Sequence, residues 1–148
     1  MDWGYTEKGT LVPGNHQATW QEVQDEFGFT ERRRNLLSGM LEAFYDLQDA
    51  GCQQVFLDGS FVTRKPEPDD FDAAWNRDGV DLRQLLHTAP QLLDFSNGRA
   101  AMKAKYKGEL FIADLLADSS GTVFLDFFQR DRDDDPKGIV SIELSTLP

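Results

Sequence analysis

Leu36, Leu37, Met40, Leu41, Phe44 and Leu47 recur at three- and four-residue intervals, the spacing of one face of an α-helix. The pattern predicts a long helix capped by Thr30, running to about Ala50 and stopped by Gly51. A shorter helix, WQEVQDEF, precedes it, with Thr19 and Glu22 at capping-box spacing and Gly28 at its end. CQQVFLDG then reads as a strand, RKPEP as a turn and DFDAAW as a second strand. On that second strand Asp70, Asp72 and Ala74 fall on one face, and Phe71, Ala73 and Trp75 on the other. Helical segments are expected around DLRQLLHT and GRAAMKAKY. KGELFIADLLA and TVFLDFFQ read as a strand pair joined by DSSG, RDRDDDPKG as a charged, mobile connection, and IVSIEL as a closing strand. The order is helix, helix, strand, strand, helices and three strands, which predicts an α+β fold with a mixed β-sheet and helices packed on it. With no repeat, low-complexity tract or linker, the chain reads as a single domain with a core over about 30–144 and an N-terminal extension over 1–29.

Composition narrows the class. The 148 residues are 40% apolar and 11% aromatic, including eleven Phe, enough to build a packed core. No apolar run approaches the roughly 18 residues of a membrane span, so no membrane partner is expected. The first residues, MDWGYTEKGTLVPGNH, lack the basic start and apolar centre of a signal peptide. Cys52 is the only cysteine, which excludes an intramolecular disulfide and a thiolate-rich metal site and makes a cytoplasmic setting the expectation. The net charge of −11 should repel nucleic acid at long range while suiting magnesium or a basic partner protein. Two basic clusters, Arg32 to Arg34 and Lys103, Lys105 and Lys107, are candidate nucleic-acid patches that read first as solvated helix faces.

The stretch FLDGSFVTRKPEPDDFDAAW concentrates the candidate chemistry. Backbone N–H groups after a strand can cradle phosphate where no bulky side chain intervenes. Gly59 permits that approach and Ser60 adds a hydroxyl. Carboxylates at i and i+2 of a strand point the same way and repel each other unless water or a divalent cation offsets the repulsion. A phosphate cradle facing such a pair suits Mg²⁺-assisted attack on a nucleoside triphosphate. The plainer reading is a hairpin in which Gly59 serves a turn and the aspartates face water.

LDGSFVTRKPEPDDFDAA, with Gly-Ser after an apolar strand and Asp-x-Asp about ten residues on, resembles the signature of the polymerase-β-like nucleotidyltransferase superfamily. It looks closest to the minimal nucleotidyltransferases and their short phage and bacterial relatives. The resemblance implies that Gly59 and Ser60 hold the triphosphate of an NTP and that Asp70 and Asp72 coordinate Mg²⁺ (or Mn²⁺). It implies transfer of an NMP group to a hydroxyl of a macromolecular acceptor, tRNA or protein, and a place in a toxin–antitoxin or phage-defence module. The alternative is an inactive fold of the same kind that binds a nucleotide or a basic partner protein. The family pattern places a third carboxylate on a neighbouring strand, for which Glu109 is favoured over Asp114 and then Asp126, the last two lying in apolar runs. Lys65, with Arg64, lies where a triphosphate tail would sit, a position that a solvated turn explains equally well. Arg99 and Lys103 share a helix face from which they could reach phosphates, though they read first as ordinary surface charges. His16 and His87 form no ligand cluster, and His87 is expected to end a helix. RDRDDDPKG lacks the Gly and Glu of an EF-hand loop. Trp3, Trp20 and Trp75 read as packing residues, with Trp75 close enough to line a base pocket.

Overall fold

In the computed structural model, which describes residues 1–148, the two N-terminal caps form as the spacing requires. Glu22 N–H donates to Thr19 Oγ1 (3.2 Å) and Thr19 N–H donates to Glu22 Oε1 (3.0 Å), opening α1 (Trp20–Phe27). Thr30 Oγ1 accepts from Arg33 N–H at the start of α2 (Glu31–Asp49), whose Leu36, Leu37, Met40, Phe44 and Leu47 are all buried. Leu41 is only partly buried and packs on the rim of the same core. Strands β2 (Gln54–Asp58) and β3 (Phe71–Trp75) pair antiparallel, and β3 runs parallel to β4 (Gly108–Ile112). Between β3 and β4 lie α3 (Leu82–Thr88), with His87 in its last turn, and α4 (Ser96–Tyr106). Strand β5 (Gly138–Glu143) returns antiparallel to β2.

The stretch 1–29, read above as an extension, contributes a strand: β1 (Gly14–Ala18) lies parallel to β5, from Gly14 opposite Gly138 to Ala18 opposite Ile142. GNHQA has no apolar alternation to announce it. Its pairing comes from main-chain hydrogen bonds offered by β5, which is buried from Gly138 to Ile142 and would otherwise present an unpaired edge. The result is an α+β fold with a five-stranded mixed sheet in the order β1-β5-β2-β3-β4.

The two sheet faces differ. Val55, Leu57, Phe71, Ala73, Trp75, Leu110 and Ile112 belong to the main core, together with the apolar faces of α1, α2 and α4. Gly39 lets α2 pass close to α4, since a Cβ there would collide with the carbonyl of Tyr106. The opposite face carries a small cluster of Phe56, Ala74, Ala113 and Ile139, covered by a short helix, α5 (Phe124–Phe127), and the residues flanking it. That helix replaces the strand expected over TVFLDFFQ. Phe124 and Phe128, one helical turn apart, both pack on Phe111, with ring centroids 4.6 and 5.0 Å away. A strand would have put Asp126 on the same face as those two rings; the helical turn sends it outward, where it is exposed. The expected strand pairing with the preceding segment shrinks to a single bridge between Leu116 and Val123.

Candidate functional site

Register brings the carboxylates together. Asp72 stands opposite Asp58 on β2 and opposite Glu109 on β4, so one row across three adjacent strands carries three acidic side chains on one face. Asp70, just before β3, follows the same alternation two residues back. Glu109, the favoured third carboxylate, therefore lies with Asp70 and Asp72, and both aspartates feel its charge. Asp114 and Asp126 lie elsewhere: Asp114 is exposed beyond the far end of β4 and accepts from Arg77 Nε (2.9 Å), while Asp126 rims the cleft from α5.

Asp58 is a member of the row that residue spacing does not single out. It ends the apolar run VFLD directly before Gly-Ser, and that abrupt charge after Leu57 is the signal the sequence carries. Its carboxylate is 2% exposed, and Oδ2 is buried without a hydrogen-bond partner. Burial, then the neighbouring Asp72, pushes its pKa well above the ordinary value. Burial, followed by the charges of Asp70 and Glu109, raises Asp72 to about 7, and burial with Glu109 raises Asp70 as well. Lys137 acts in the opposite direction on both Asp58 and Asp72. It is a second residue that spacing does not reveal, because it arrives from the loop before β5. Lys103 balances the other end, with Nζ 3.2 Å from Glu109 Oε1.

The chain after β2 turns immediately into a 3₁₀ turn, Gly59–Val62. Gly59 has φ +73°, and a Cβ there would lie 2.6 Å from Asp72 Oδ2. Its missing side chain thus serves two purposes, a left-handed backbone and room for the acid beside it. Gly59→Ala is expected to cost roughly 1–3 kcal/mol from the backbone alone and to displace the Asp72 carboxylate, read as a lower thermal midpoint together with altered Asp72 titration by NMR. Gly59, Ser60, Lys65, Asp58, Asp70 and Asp72 line a cleft of about 1170 Å³.

The turn is held from behind. Arg33 is fully buried and donates to the carbonyls of Phe27 (3.2 Å), Phe61 (2.6 Å), Thr63 (2.9 Å) and Lys65 (2.6 Å), with a longer contact to Ser60 (3.4 Å). Reading Arg32 to Arg34 as a solvated face is therefore wrong at its centre: Arg33 is an internal clamp. Arg64 turns away from the cleft, bonding Glu26 (3.2 Å) and lying over the rings of Tyr5 and Phe29. Trp75 is buried on the core face, so it lines no base pocket.

The RDRDDDPKG loop, expected to be a mobile connection, is tied down. Asp131 accepts from the N–H groups of Asp133 (2.9 Å) and Asp135 (3.0 Å), and Lys8 Nζ donates to all three carboxylates at 2.7–3.1 Å. This is the place where three carboxylate oxygens converge within 4.8 Å, and one ammonium group from the N-terminal segment already sits among them, offsetting part of their charge.

An acidic row across three strands, beside a glycine-serine turn on an α+β sheet, defines the class of this protein as far as fold and geometry go. The chain belongs to DUF6932, a family of unknown function, which it matches over residues 2–143. No curated protein and no solved structure matches it. No helix is long and apolar enough to cross a membrane.

Proposed function

We propose that the chain is a divalent-metal-dependent nucleotidyltransferase that moves an NMP group from an NTP to a hydroxyl of a macromolecular acceptor. The observation that carries this reading is the shared face of Asp58, Asp72 and Glu109 on adjacent strands, with Asp70 beside them and Gly59-Ser60 at the lip. The donor chemistry suits a hard cation: all are carboxylates, Asp58 Oδ2 is buried without a partner, and burial, followed by the charge of neighbouring carboxylates, raises the pKa values of Asp58, Asp70 and Asp72. Asp70 and Asp72 would hold Mg²⁺ or Mn²⁺, with Glu109 at the acceptor side. The cation, when bound, neutralises the charge that develops as the α-phosphorus is attacked and pyrophosphate leaves.

The chain's own groups have separable tasks. The Gly59 and Ser60 backbone can approach phosphate oxygens closely, and Lys65 and Lys137 bring positive charge to the same cleft. Glu109 can accept the proton of the incoming hydroxyl once Lys103 moves from its 3.2 Å contact. That contact also supports a second reading, an inactive fold of the same kind that binds a nucleotide or a basic partner, since the ammonium already compensates Glu109.

Incubation with each of the four α-labelled NTPs, Mn²⁺ and cell lysate should label a macromolecule, and Asp70→Asn/Asp72→Asn should abolish it. Absence of label with all four NTPs, together with retained nucleotide binding by calorimetry, favours the inactive module. Absence of both sinks the proposal.

A further inference from the structure

Asp69 and Asp70 line not only the main cleft but also a second groove, of about 410 Å³. Its remaining lining comes from the N-terminal part of α2 and the C-terminal end of α4: Arg32, Asn35, Leu36, Lys103 and Lys107. In a chain of net charge −11 this groove sets three cations against the two carboxylates of Asp69 and Asp70, a local excess of positive charge.

These cations retain binding capacity. Arg32 is pinned through Nε to Pro68 O (2.9 Å) and through Nη2 to Asp69 O (3.1 Å), with the exposed Asp69 carboxylate 3.7 Å from Nη2, while Nη1 makes no hydrogen bond within the chain. Lys103 has one contact, to Glu109, and Lys107 one long contact, to Asn35 O at 3.4 Å, although each ammonium has three donors. The anchoring of Arg32 fixes one charge in the groove, and two flexible ones reach it from the end of α4.

We infer that this groove binds the phosphodiester backbone of a single-stranded nucleic acid, RNA being the strand that also offers a 2′-hydroxyl. A cluster of cations with little apolar surface holds phosphates without reading bases; a peptide docking there would find no exposed apolar side chain, since Leu36 is already buried in the core. Binding by the groove stands independently of catalysis. Its identification as the acceptor channel, leading a terminal ribose hydroxyl past Asp70 to Glu109, rests on the nucleotidyltransferase reading.

The test is fluorescence anisotropy with a labelled 12-nucleotide single-stranded RNA at about 50 mM salt, without nucleotide or metal. The wild-type chain should bind in the micromolar range usual for non-specific contacts. Its log–log salt slope should be near −2, about 0.7 per neutralised phosphate for three cations. Lys103→Glu/Lys107→Glu should weaken binding at least tenfold. Arg83→Glu/Lys105→Glu, which changes net charge equally at exposed and partly exposed positions outside the groove, should stay within about threefold; thermal melts of both confirm folding. No binding by the wild type, or equal loss in the two double variants, overturns the inference. So does equal affinity for a poly-glutamate peptide of matched charge, which would identify an acidic protein as the occupant. Failure of the nucleotidyltransferase reading instead shows as absence of label transfer from all four NTPs, a measurement this assay does not involve.

Discussion

Asp72→Asn is expected to make the metal-free protein more stable at pH 7 while removing its response to divalent cations. In the wild type, burial and the charges of Asp70 and Glu109 raise the Asp72 pKa to about 7. An acid with a raised pKa binds more protons folded than unfolded between about pH 4 and pH 7. On its account stability is greatest below about pH 4, falls as pH rises to 7 and is flat beyond. A tenfold difference in proton affinity between the folded and unfolded chain corresponds to about 1.4 kcal/mol. Because Asp72 still faces the cleft, a gain of roughly 1–3 kcal/mol is expected for the neutral amide. For a chain of this size that is an increase of roughly 3–10 °C in Tm.

Other carboxylates act the opposite way. Hydrogen bonding lowers the pKa values of Asp94, Asp118 and Asp131, so their contributions fade as pH falls. The informative quantity is therefore the difference between wild type and Asp72→Asn, which should shrink from pH 7 to pH 4. Mn²⁺ should raise the wild-type Tm, by about 2.7 kcal/mol of stabilisation at a hundredfold excess over Kd, and leave the variant unchanged. A variant less stable than wild type at pH 7, with equal Mn²⁺ responses, contradicts both the electrostatic account and the metal assignment.

Arg33→Met should have the largest effect on folding, about 3–5 kcal/mol of destabilisation, because it leaves several buried carbonyls without their donor. No carboxylate pairs with Arg33. Burial lowers its pKa to about 10, so it remains charged at neutral pH, held by main-chain carbonyls and by the ring of Phe29, whose centroid is 4.3 Å from its guanidinium carbon. Lysine is not expected to rescue, since a single ammonium cannot reach carbonyls spread from Phe27 to Lys65 as a planar fork does. Hydrogen exchange should show the loss first across residues 59–65, the turn that carries Gly59 and Ser60. Denaturant unfolding within about 1 kcal/mol of wild type would mean that the clamp is not what holds that turn.

Much of this architecture is legible in the sequence because its signals are local. Helix caps at Thr19 and Thr30, the apolar stripe of α2 and the alternation of β3 depend on neighbours within four residues, and each forms where its spacing requires. The placement of Asp70 and Asp72 on one face follows from the two-residue period alone. TVFLDFFQ misleads because a short apolar run satisfies both periods, and the choice depends on Phe111, which lies outside that run. Strand β1 carries no side-chain pattern because its role is to complete the main-chain hydrogen bonds of β5.

From its own residues the chain determines its class of fold, its caps and the acidic pair after Gly-Ser, since these rest on periodicity and turn chemistry. Tertiary structure alone decides that Glu109 rather than Asp114 joins that pair, that Asp58 lies beside it, and that Arg33 lies inside. Strand register and burial are long-range properties: which carboxylates become neighbours depends on how β2, β3 and β4 align. Whether an arginine is a surface charge or a clamp depends on which carbonyls the folded chain brings around it.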